Sequence, residues 1–143
     1  MKLMFIDITR AYYYAKARRR LFIQLPDGDR DPGMCGLLNM SLQGTRDAAQ
    51  NWEYEYSEFL HSIGFVKGKA SPCLFYNKQY DIRLAVHGDD FTLLGLIDDL
   101  QWFQTEIEKK FETKVRGVIG CEPNDDTTDF SFKLLFDFSL KPL

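Results

Sequence analysis

The stretch from Ile82 to Leu96 constrains this chain more than any other: two apolar runs, Ile82 to Val86 and Phe91 to Leu96, meet across Gly88-Asp89-Asp90. Glycine tolerates the positive φ that tight turns demand, and the flanking runs hold residues that suit a pleated, half-buried surface. The segment is therefore a β-hairpin with two aspartates at its tip. A second carboxylate station is Asp7, which closes the apolar run Leu3 to Ile8, also a strand. A sheet that brought the two stations together would gather three carboxylates. Such a cluster repels itself and calls for cations, and hard oxygen donors suit magnesium.

The rest of the chain supplies two helices and further strands. From Thr45 to Ile63, the residues Ala48, Trp52, Tyr56, Phe59, Leu60 and Ile63 recur at steps of three and four, which predicts an amphipathic helix stopped by Gly64. Asp98 is expected to cap a second helix, because Gln101 follows three residues on and Leu100, Phe103, Ile107 and Phe111 keep helical spacing. Leu21 to Leu25, Met34 to Asn39 and Leu74 to Asn77 read as strands, and the turn-forming stretch from Pro26 to Gly33 reads as an exposed loop. This mixture predicts an α+β fold. Two one-faced helices fit on one side of an antiparallel sheet, which leaves the other face open to a ligand.

Composition limits the partners. The 143 residues carry a formal net charge of -3, so binding of nucleic acid must rest on local patches: Lys16 with Arg18, Arg19 and Arg20; Lys67 with Lys69; and Lys109, Lys110, Lys114 and Arg116. Solvated surface is the plainer reading of each patch. Cys35, Cys73 and Cys121 lack the spacing of a disulfide framework or a zinc module, and are expected to be free, mostly packed thiols. No apolar run has membrane-spanning length and the first residues lack the pattern of a signal peptide, so a soluble, intracellular protein, cytoplasmic or nuclear, is expected. Residues 1–122 form one unit. Residues 123–143 differ in composition: Asp125, Asp126 and Asp129 read as an acidic linker, and near-alternating apolar residues from Phe130 to Leu140 predict one strand.

Several blocks, in order, resemble the reverse transcriptase of copia-type LTR retrotransposons over about residues 3 to 120. Asp7-Ile8-Thr9-Arg10-Ala11-Tyr12 looks like that family's D-x-x-x-A-[FY]. Ser41-Leu42-Gln43-Gly44, with Ala48 and Trp52 beyond it, resembles L-x-x-S-L-Y-G-L-K-Q-A-P-R-x-W. Gly64-Phe65 to Leu74-Phe75 looks like a G-F…[CS]-L-[FY] scaffold segment. Leu84 to Asp90 resembles L-x-x-Y-V-D-D, and Phe111 to Gly117 resembles F-x-M-K-D-L-G. Departures include Gln43 for tyrosine, Asp47, Ala49 and Gln50 for Gln, Pro and Arg, and His87-Gly88 for Tyr-Val.

The resemblance implies a palm that extends a DNA primer with dNTPs on an RNA or DNA template, using two magnesium ions, with manganese as a substitute. Asp7, Asp89 and Asp90 inherit the catalytic, metal-binding roles. Ile8, Tyr12, Gln43, Gly44 and Lys114 inherit places near the nucleotide, Tyr12 as the ring under the sugar that discriminates against a 2′-hydroxyl. His87 and Gly88 fall where the family meets the primer, although a hydrogen-bonded structural role is the plainer expectation for His87. Most of the fingers and thumb that polymerisation needs are absent from the segment. A rival reading keeps the fold without the catalysis, as a retroelement remnant that at most binds nucleic acid. A second rival is an unrelated small α+β interaction domain.

Overall fold

Alternating burial along the strands organises the molecule. The computed structural model describes residues 1–120. It contains a six-stranded antiparallel sheet built from β1 (Lys2–Ile8), β4 (Phe65–Lys67), β5 (Leu74–Asn77), β6 (Ile82–His87), β7 (Asp90–Gly95) and β8 (Thr113–Ile119), in the order β4-β5-β6-β7-β1-β8. A separate two-stranded ribbon pairs β2 (Phe22–Ile23) with β3 (Gly36–Leu37). The helices are α1 (Ala48–Ser62) and α2 (Ile97–Glu108).

Register shows which side is core. Ile6 lies opposite Phe91, which lies opposite Val86; Met4, Leu93, Leu84 and Phe75 form the next row, each buried. Trp52, Tyr56, Phe59 and Leu60 of α1 and Leu100, Phe103 and Ile107 of α2 join these strand residues in one apolar cluster. Both helices therefore cover the same face. Side chains alternate along a strand, so Phe5, Asp7, Asp90 and Thr92 stand on the other face.

The α+β class and the helix-covered sheet match expectation, while several boundaries differ. Helix α1 begins at Ala48 rather than Thr45, because the Thr45 hydroxyl donates to the carbonyl of Leu42 and holds a turn there. Asp98 does not cap α2: the extended residue Leu96 is the N-cap, and Asp98 falls inside the first turn, where its charge still favours the helix dipole. The segments 21–25 and 34–39 shorten to two-residue strands. Strands β4 and β8 were not anticipated from apolar pattern; β4 has three residues, and β8 lies at the sheet edge with residues exposed on both faces.

Cys35 and Cys73 are free as expected but exposed rather than packed, because both lie in irregular segments outside the helix-covered core. Cys121 and the predicted strand and acidic turn of the C-terminal tail lie outside the described residues. Among the described residues, no helix is long and apolar enough to cross a membrane.

Candidate metal centre

Asp7 and Asp90 are paired across β1 and β7, so the sheet itself sets their carboxylates side by side. Asp89 precedes Asp90 in the hairpin turn. One oxygen from each of the three lies within 4.8 Å of the others. Two oxygens bound to one magnesium at about 2.1 Å stand no more than about 4.2 Å apart, so small rotations bring this all-oxygen donor set onto a shared ion. The donor set fits a hard divalent cation.

The hairpin tip is held from two sides. Gly88 adopts φ +62° while Asp89 stays at ordinary negative φ, an arrangement that matches a two-residue II′ turn. The indole N–H of Trp52, on α1, donates to the Gly88 carbonyl over 2.7 Å, and the backbone N–H of Ile8 donates to the Asp89 carbonyl over 2.9 Å. Trp52 is itself fixed by edge-to-face contacts with Tyr56, Phe91 and Phe111. An aromatic layer on the helix-covered face thus positions carboxylates presented on the opposite one.

Among the described residues, the guanidinium of Arg116 pairs with this cluster. A register shift in the β1–β8 pairing, where Phe5 faces Gly117 and Ile6 faces Val115, leaves Arg116 as the extra residue of a β-bulge. Its Nη2 donates to Asp7 Oδ1 over 2.6 Å, and its Nε lies 4.0 Å from Asp90 Oδ1. The hydrogen bond to Asp7, then the charges of Asp7, Asp90 and Asp89, raise the guanidinium above its already high ordinary pKa. Sequence reasoning left Arg116 in a surface patch. The available signal was the alternation through Lys114, Val115, Arg116 and Gly117, which marks a strand, but the strand that it would pair with was not legible there.

Tyr12 lies in a short 3-10 turn, Ala11–Tyr14, and is half-buried against the core; its hydroxyl would stand 3.9 Å from a Cβ at Gly88. The preceding Arg10 has φ 53°, a left-handed conformation that is uncommon outside glycine and that turns the chain out of β1. Ile8 has a fully buried side chain, and its N–H donates to the Asp89 carbonyl. Lys114 pairs with Asp7 in the sheet register and is exposed. Gln43 and Gly44 are exposed in a turn attached to the segment after Tyr12 by the Ser41 N–H, which donates to the Ala15 carbonyl over 2.7 Å. His87 lies opposite Asp90 in register but is exposed, and among the described residues its ring makes no hydrogen bond, contrary to the structural role expected of it. The strand ends there, and among the described residues no element covers the ring.

Several basic patches are partly neutralised within the fold. Arg19 pairs with Asp47, Lys67 with Glu53, Lys109 with Glu106 and Lys110 with Glu55, and Arg18 stacks over Tyr54.

The fold and site together define an α+β domain that presents a carboxylate triad on the sheet face that neither α1 nor α2 covers. The chain is similar to segments of retrotransposon polyproteins. It is 24% identical over 119 residues to the Retrovirus-related Pol polyprotein from transposon TNT 1-94 of Nicotiana tabacum, covering 78% of this chain and 9% of that protein. It is 29% identical over 112 residues to the truncated transposon Ty1-A Gag-Pol polyprotein of Saccharomyces cerevisiae, covering 77% of this chain and 9% of the relative. The transposon Ty1-DR5 Gag-Pol polyprotein of the same yeast shows the same identity, and 6% of it is matched. The matched region is thus less than a tenth of each of these relatives' length. No family model matches the chain. The similarity supports a retroelement origin.

Proposed function

We propose that the chain is the palm region of a copia-type reverse transcriptase, an RNA-directed DNA polymerase acting on an RNA or DNA template, a DNA primer and dNTPs. The observation that carries this reading is the convergence of Asp7 and the Asp89-Asp90 hairpin on the open sheet face, at residues that the family pattern singled out. The similarity to Pol polyproteins over more than three quarters of the chain supports it.

In this reading Asp7, Asp89 and Asp90 hold two magnesium ions, which supply Lewis acidity for activating a primer 3′-hydroxyl and stabilising departing pyrophosphate. The residues of the chain do the positioning. Asp7 and Asp90 project from neighbouring strands of a hydrogen-bonded sheet, so their separation is set before any ligand arrives. Tyr12, beside Gly88, closes the floor where a deoxyribose would rest, and a ring there leaves no space for a 2′-hydroxyl. Lys114, in register with Asp7, offers a positive charge to a triphosphate. Gln43 and Gly44 border the nucleotide from the neighbouring turn, and His87 and Gly88 face the primer.

A second reading, a silent remnant, is favoured by one observation: Arg116 already pairs with Asp7 inside the carboxylate cluster. The deciding experiment is incorporation of a labelled dNTP on an RNA-template, DNA-primer duplex with Mn²⁺, by the chain joined to the fingers and thumb of a retrotransposon reverse transcriptase, for the parent sequence and Asp89→Asn. Incorporation by the parent and its loss in the variant is the expected result. A parent that binds Mn²⁺ and incorporates nothing overturns the polymerase reading in favour of the remnant.

A further inference from the structure

A cation already sits in the carboxylate cluster, and it belongs to the chain. The bulge in β8 aims Arg116 across β1 onto Asp7 Oδ1 at 2.6 Å, with its Nε 4.0 Å from Asp90 Oδ1. Two of the three candidate metal ligands therefore face one guanidinium. The resembling F-x-M-K-D-L-G motif has leucine where Arg116 stands.

We infer that Arg116 is a built-in competitor for the divalent cation: metal binds Asp7, Asp89 and Asp90 only as the guanidinium leaves Asp7. This inference rests on the metal-site reading above and concerns what regulates that site. The physical basis is direct. An oxygen that accepts a short charge-assisted hydrogen bond has part of its lone-pair density committed, and a guanidinium left a few ångströms from a divalent ion repels it. The Arg116 side chain is 60% exposed, so it can swing into water without unfolding anything, whereas Asp7 is only 16% exposed and fixed in the sheet. Displacement is thus a rotamer change on one side. The competition makes the site respond to metal concentration with a raised threshold, and screening of the ion pair by salt lowers that threshold's dependence on Arg116.

The test is a titration of Mn²⁺ alone, with free ion followed by electron paramagnetic resonance, for the parent, Arg116→Ala, Arg116→Gln and Arg116→Lys. Circular dichroism establishes that each variant folds. Removing the charge in the Ala and Gln variants is expected to tighten Mn²⁺ binding by about 3- to 10-fold, while Lys stays near the parent. The Gln variant keeps a long polar side chain, so agreement between Ala and Gln assigns the effect to charge rather than to altered packing. Measurable binding that is equal or weaker in both neutral variants overturns the inference and leaves the metal site standing. Absence of Mn²⁺ binding in every protein overturns both.

Discussion

Trp52 and Gly88 are 36 residues apart, and the indole N–H of one donates to the carbonyl of the other over 2.7 Å, from the covered side of the sheet to the turn that presents Asp89. The bond links the apolar core to the candidate site, because Trp52 also packs edge-on against Phe91 and Phe111. Trp52→Phe keeps an aromatic ring and leaves the carbonyl without its donor, at an expected cost of about 1–2 kcal/mol in urea unfolding. Mn²⁺ affinity should fall with it, because the turn loses one of its two fixings. Trp52→Ala should cost about 3–5 kcal/mol, as a large core side chain is removed.

Two glycines separate stability from site geometry. Gly88 (φ +62°) and Gly64 (φ +92°) both adopt left-handed backbone, and an added Cβ meets nothing closer than 3.9 Å and 3.4 Å respectively. Alanine at either position should therefore cost about 1 kcal/mol from backbone strain. Only Gly88→Ala should also weaken Mn²⁺ binding, since Gly64 lies at the far end of α1. Equal metal affinity in the two variants would show that turn conformation does not control the carboxylates.

Asp89 tests the like-charge argument, because the Arg116 contacts run to Asp7 and Asp90. Without metal, Asp89→Asn relieves repulsion, and its melting temperature in EDTA should equal or exceed that of the parent. With Mn²⁺ the order should reverse, since a ligand charge is lost and metal stabilises only the state that binds it. A thermal-shift series with and without Mn²⁺ reads both effects, and an unchanged order would count against the cluster as a metal site.

The sequence was most legible where structure is local. The β6–β7 hairpin, β1 and the apolar faces of both helices follow from spacing alone, and these elements carry Asp7, Asp89 and Asp90. What escaped depends on distant partners. The Arg116 contact needs β8 placed beside β1 with a bulge, and the Trp52 bond needs α1 laid under the hairpin tip. Asp98 had the pattern of a cap, but the extended Leu96 starts the helix earlier. His87 was expected to find a hydrogen bond, but at the end of its strand its ring finds none among the described residues.

Whether Asp7, Asp89 and Asp90 together bind divalent cation is read by titrating Mn²⁺ into the parent and Asp7→Asn, with free ion followed by electron paramagnetic resonance. The expected result is saturable binding by the parent, weakened about tenfold or more in Asp7→Asn even though that variant also frees Arg116. Equal binding by the two proteins, or none by the parent, would contradict it.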